Sequence, residues 1–326
     1  MTVSLALRGH PHASPATRDR LRRLATAMGY RPNPLITASM AHLRAGRHAA
    51  YAGMIAFGGL GASPTGATTG RQIHRTYVGA QRRAEALGYR IEWFALDDPL
   101  LDGARQSQIL RARGILGAIL AANCGVPAPR HLDWDSFALA AIGRTDVGHE
   151  VHRTTGDYYG AVRRICLLGR TRSYRRIGLA IPEEHDLAHQ GLHRSAFLGC
   201  QAEWPRRDRV PVLVAKQWAR APFLQWVRQH RPDLVICGSD DPLRWLRSAG
   251  IRVPGDIGLI RPHVTDRSLG IGGFLFDEIE IGAAAVDLVV EQLHHNERGL
   301  PGVMKRVLLP GHWFEGRTLR APPPTP

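Results

Sequence analysis

Residues 90–122 read RIEWFALDDPLLDGARQSQILRARGILGAILAA, and their pattern decides the architecture. An apolar run over 90–96 is followed by a helical segment over 102–113 and a second apolar run over 117–122. Strand, helix and strand in this order form a parallel crossover unit. Working outward, the same alternation continues. It predicts a strand at 51–57, a helix over 74–88 that stops at Gly88, and a strand at 137–142. A second series has strands at 176–181, 209–215, 234–238 and 257–260, with helices near 157–169, 188–203, 219–230 and 242–249. A helix over 280–295 and a strand near 305–309 follow. Apolar strands alternating with amphipathic helices imply parallel sheets covered on both faces. Two series imply an α/β chain of two doubly wound parallel-sheet subdomains, with ligands at the carboxyl ends of the strands.

The 326 residues suffice for two such subdomains and a small appendage. No run of 18 apolar residues and no apolar N-terminal region is present, so neither a membrane span nor a secretory signal is expected. Cys124, Cys166, Cys200 and Cys237 lack metal or redox spacing; reduced thiols and a cytoplasmic address are expected. The formal net charge is +15, almost all from arginine, since Lys216 and Lys305 are the only lysines. Charge is concentrated at the front. Residues 1–50 hold eight arginines against one acid, Asp19. A basic head on a more balanced body points to a polyanionic partner, with a solvated basic tail as the alternative.

Ser14-Pro15 is a strong helix start, cap then N1 proline. Leu21, Leu24, Ala25 and Met28 line one face of the helix, and Gly29 stops it. Residues 2–7 also read as helical. Pro32 and Pro34 bracket a linker, and 35–44 is a short helix candidate that needs a partner to order it.

Residues 2–44, with the matching text TVSLALRGHPHASPATRDRLRRLATAMGYRPNPL at 2–35, resemble the DNA-binding head of the lac repressor/gal repressor family of transcription regulators. The matching parts are the T-V-S helix, the S-P-x-T-R helix opening and the G-Y-R-P-N-P hinge entry. The body resembles the family in YRRIGLAI (174–181), CGSDD (237–241), GIRVPGDIGLI (250–260) and 280–320. The resemblance implies periplasmic-binding-protein type I-like architecture behind a partial helical head. It divides the chain into a truncated helix-turn-helix (1–31), a hinge (32–48), a two-lobed effector-binding domain (49–320) and a Pro-rich tail (321–326). The N-lobe would comprise about 49–156 plus 278–296, and the C-lobe about 157–274 plus 300–320. Met1 falls near the second residue of the recognition helix. The expectation is a reading frame truncated at its front, with loss of DNA binding as the alternative.

The resemblance also assigns roles. Thr2, Ser4 and Leu5 would lie on the recognition helix, His12, Ser14 and Thr17 near phosphates, and Asn33 at the hinge entry. Met40 or Leu43 would be the apolar wedge in the minor groove. Asp157, Trp218 and Asp240 match effector contacts. Asp157 also reads as a helix cap, and Trp218 equally as a core residue. The family's effector-holding Arg is replaced here by His193, with Arg194 beside it. The implied protein is a repressor, a homodimer that binds operator DNA, senses a carbohydrate and needs no cofactor. Its rivals are a solute sensor without DNA binding and a nucleotide-cofactor enzyme. The latter would use Gly58, Gly59 and Gly61 with Asp97, but the spacing is wrong for a dinucleotide fingerprint. His149-Glu150-x-His152 reads as a surface group without a fourth metal ligand.

Overall fold

A computed structural model describes residues 15–27, 53–60, 71–96, 102–122, 132–143 and 148–321. It divides into two compact units, residues 1–154 with 278–307 and residues 155–277 with 308–326. Among the described head residues, helix α1 (Pro15–Ala27) begins at the predicted proline. Its apolar residue Leu24 is about half exposed.

In the first unit, β1 (Gly53–Leu60), α2 (Arg71–Ala86), β2 (Tyr89–Ala95), α3 (Gly103–Ala112), β3 (Ile115–Ala122) and β4 (Ala138–Ile142) follow the predicted alternation. Two strands join them, β5 (His152–Gly156) and β11 (Arg306–Leu309). The sheet order is β11-β5-β4-β3-β1-β2, and β2, β1, β3, β4 and β5 pair in parallel. Helix α9 (Glu278–His295) returns late in the sequence to cover this sheet. It packs backbone to backbone on α2. A side chain at Gly79 would collide with the Ile279 carbonyl, and one at Gly282 with the Thr76 carbonyl. Arg75–Glu278 (3.3 Å) and Arg83–Asp287 (2.7 Å) flank the contact. Gln292, buried on α9, meets the Leu139 backbone twice: Oε1 accepts from its N–H and Nε2 donates to its carbonyl, both at 3.0 Å.

The second unit repeats the plan. α4 (Tyr158–Thr171), β6 (Ile177–Pro182), α5 (Glu183–Ala188), α6 (Leu192–Ala202), β7 (Leu213–Ala215), α7 (Arg220–His230), β8 (Leu234–Cys237), α8 (Asp241–Ser248) and β9 (Gly258–Arg261) occur in chain order. β10 (Gly272–Leu275) and β12 (His312–Phe314) complete a sheet of order β12-β10-β9-β8-β6-β7. Only the β10–β12 pairing is antiparallel in this sheet. Its core includes Val210, Phe223, Trp226, Val235, Leu246 and Leu259.

Three expectations need correction. The strand predicted at 209–215 shortens to Leu213–Ala215, because Pro211 offers no N–H to a ladder and its carbonyl instead accepts from Trp226 Nε1 at 2.8 Å. The helix predicted over 188–203 is broken, since Gln190 and Gly191 adopt left-handed backbone (φ 51° and 69°). His152 is not on the surface. It is buried in β5, and its Nδ1 accepts from the Lys305 N–H at 3.0 Å.

Candidate functional site

In the second unit, the loops after β6, β7, β8 and β9 place polar and aromatic side chains at the carboxyl edge of the sheet, where doubly wound folds bind ligands. From β6 the chain enters α5 directly, so His185 stands on its first turn. After β8 comes Gly238. A side chain there would press on Ile181, Pro182 and, at 3.2 Å, on His185 Nδ1, so glycine permits the imidazole's close approach. Ser239 and Asp240 follow. The last residue of β9, Arg261, is buried, pairs with Asp240 and donates to the Gly238 carbonyl at 3.2 Å. After β7, Trp218 donates through Nε1 to Ser239 Oγ at 2.8 Å, and Ser239 donates to Asp241 at 3.3 Å.

Beside these groups lies a cluster of rings. His185, His189 and His193 have centroid separations of 4.4, 4.6 and 5.3 Å, and His185 and His193 are almost parallel. Tyr158, at the start of α4, meets His189, His193, His263 and Phe276 edge-on or tilted. Burial, then the charges of His189 and Arg261, push His185 down to about 3. The same causes, burial first, hold His193 well below its ordinary value. Both rings are therefore neutral at pH 7. Neither ring nitrogen of His193 has a hydrogen-bond partner, although the residue is fully buried.

The effector residues expected from the sequence all fall in this unit. Asp157 caps α4, accepting from the Gly160 N–H at 2.8 Å, and lies 3.7 Å from Arg164. His193 sits inside the ring cluster. Arg194 points the other way, half exposed, and pairs with the buried Asp186 at 3.2 Å. Trp218 combines both readings, packed against Phe223 and Trp245 while its N–H reaches the Ser239 loop. Asp240 is paired with Arg261. Sequence reasoning missed His185, His189, Tyr158, Arg261 and His263. The spacing His185-x3-His189-x3-His193 was the available signal. A separate surface cavity, lined by Arg163, Cys166, Cys200, Glu203 and Trp204 among others, uses none of the clustered rings.

Of the residues expected to touch DNA, Thr2, Ser4, Leu5, His12, Ser14, Asn33, Met40 and Leu43 lie outside the described residues. Thr17 is exposed on α1. Gly58 and Gly59 lie within β1 itself, where side chains would collide with Leu96 and Trp93, so close packing accounts for them.

Comparison with known proteins agrees with this geometry. Residues 168–319 match the family described as a periplasmic binding protein-like domain. The described residues share their fold with solved regulators of the lac repressor/gal repressor type. A transcriptional regulator, CelR, solved with cellobiose is 18% identical, with 97% of this chain and 94% of that one covered and a TM-score of 0.57. A LacI-family regulator from Rhizobium etli is 16% identical, with 82% and 98% covered and a TM-score of 0.61. The regulator CCPA from Weissella paramesenteroides, solved with glucose, is 11% identical, with 82% and 98% covered and a TM-score of 0.55. Among curated proteins, no sequence matches the chain. No helix among the described residues is long and apolar enough to cross a membrane.

Proposed function

We propose that the protein is a ligand-responsive, DNA-binding transcriptional regulator, a homodimeric repressor whose effector is a small carbohydrate. The observation that carries this reading is the convergence of His193, Trp218 and the Asp240–Arg261 pair at the carboxyl edge of the periplasmic binding protein-like sheet. An ion pair at such an edge offers sugar hydroxyls both an acceptor and charged donors. Solved proteins of this fold have cellobiose, glucose or sucrose bound. The arginine-rich front of the chain supplies the electrostatic footprint for DNA. Thr2, Ser4, Leu5, His12, Ser14, Thr17 and Asn33 would contact DNA there, with Met40 or Leu43 as the wedge.

The mechanism is linkage. A ligand alters operator affinity only by the difference in its binding to the two states of the protein. Two measurements test the proposal. Binding-site selection from random duplexes, read by gel shift at low salt, should recover a near-palindromic site. Thermal shift against mono- and disaccharides, including cellobiose, glucose and sucrose, should give a hit that Asp240→Ala abolishes. Sugar binding without any DNA selection would leave a sensor alone; hits confined to nicotinamide nucleotides would overturn the regulator.

A further inference from the structure

We infer that His185, His189 and His193 form a binding site for a divalent transition-metal ion, with Zn2+ the first candidate, as three ligands of a four-coordinate centre. The inference goes beyond the regulator reading and holds for this unit whether or not the chain reads DNA. It begins with chain geometry. Residues eight apart on a straight helix sit about 12 Å apart along its axis. Here His185 and His193 have ring centroids 5.3 Å apart. The left-handed residues Gln190 and Gly191 end the first helix and restart the chain as α6, folding His193 back toward His185. One ring nitrogen from each of the three residues lies within 4.8 Å of the others. A tetrahedral centre with Zn–N bonds of about 2.0–2.1 Å sets its nitrogens about 3.3–3.4 Å apart, so the rings must turn inward by up to about 1.5 Å to close on an ion.

The chemistry of the donors fits. His189 Nδ1 lies 2.9 Å from the His185 carbonyl, which can only accept. Nδ1 therefore carries the proton, and Nε2 becomes the lone-pair nitrogen. Fixing a ligand's tautomer through its other nitrogen is the usual support of a metal-bound histidine. His193 is fully buried, yet neither of its nitrogens is hydrogen-bonded, and His185 Nδ1 also lacks a partner. Such orphaned polar atoms are rare in proteins and costly unless something else satisfies them. The neighbouring cation, Arg261, is paired with Asp240, which offsets its repulsion of a metal. Three imidazoles with no thiolate favour Zn2+, Ni2+ or Cu2+ over Mg2+ or Ca2+. The site also sits where the family resemblance puts the effector-holding arginine, so the fourth position would receive water or a ligand oxygen.

The test is calorimetric titration of chelator-stripped full-length protein with Zn2+, with Mg2+ as control, alongside Co2+ followed by its visible absorption. The expected result is one tight Zn2+ equivalent, a tetrahedral Co2+ spectrum and no Mg2+ heat. His189→Gln, at a half-buried position, and His185→Gln should each weaken that equivalent by more than about 10-fold, with melting curves of the metal-free proteins unchanged. The chain holds 16 histidines, so adventitious zinc is the real rival. Zinc binding that survives both substitutions would overturn the site, as would no binding at all. Loss of DNA binding or of sugar binding with the zinc site intact would count against the regulator alone.

Discussion

His152 and His193 invite comparison. Each is a buried histidine in one of two units with the same doubly wound plan. His152, in the first unit, receives the Lys305 N–H and ties two strands together. His193, in the second, makes no hydrogen bond. The contrast extends beyond this pair. In the first unit Gln292 spends its amide on the Leu139 backbone, and Thr154 donates to the Ile281 carbonyl at 3.1 Å. In the second unit His185, Asp186 and Arg261 each leave a buried polar atom unmatched. Where a fold satisfies its buried polar groups internally, those groups serve stability. Where it leaves them unmatched at the carboxyl edge of a sheet, they are poised for a ligand.

Breaking an interaction at that edge should have the largest effect. Asp240→Ala strands the buried Arg261 charge and should lower stability in urea by about 2–3 kcal/mol, somewhat less than for a fully buried pair because Asp240 is a third exposed. The two histidines should then diverge. His152→Leu orphans the Lys305 N–H and should cost about 1–2 kcal/mol, whereas His193→Leu removes no hydrogen bond and should change stability by less than about 1 kcal/mol. An equal loss at both positions would erase the distinction. Acid should act on the second unit through His185 and His193. Their folded-state values lie below the usual 6.5, so protonation favours the unfolded chain. Stability is full above about pH 6.5 and falls as pH drops toward 3. For His185 the loss is about 1 kcal/mol over the first pH unit below 6.5, and His193 adds in the same direction. His189, His263 and Arg261 face the two rings, and the positive charge of Arg261 adds to the effect. Denaturation midpoints from pH 7 to 5 would measure it, and a flat profile would contradict it. Gly191→Ala tests the turn that gathers the rings. It forces a side chain into left-handed backbone and should cost about 1 kcal/mol, loosening the ring cluster as it does so.

Much of the fold was legible because its strands are apolar runs with clear helical periodicity between them. Residues 115–122, 177–182 and 234–237 are all of this kind. The strands that escaped reading carry no such run. Residues 152–156 are HRTTG and 272–275 are GGFL, and they pair because neighbouring strands present open edges to them. The site was partly legible. Asp240 follows an unmistakable strand, and its partner Arg261 is the end of another 21 residues on. Nothing local links the two. The three histidines were visible as a spacing, but an unbroken helix would have strung them along its length. Only the reversal at Gln190 and Gly191 gathers them, and glutamine gives little warning of a left-handed conformation. The residues expected to read DNA lie, Thr17 apart, outside the described residues, and their roles rest on the resemblance.

The close seat of α9 on α2 also sets a timetable. Gly79 and Gly282 each let its helix approach the other's backbone, across about two hundred residues of intervening chain. During synthesis, β1, α2 and β2 emerge long before the helix that covers them, and one face of their sheet must wait for it. The first unit to begin thus cannot close until its covering helix and the strand β11 have emerged. A ribosome stalled anywhere before residue 278 would hold out a half-built sheet, and a chaperone that shields apolar surface would find its client there.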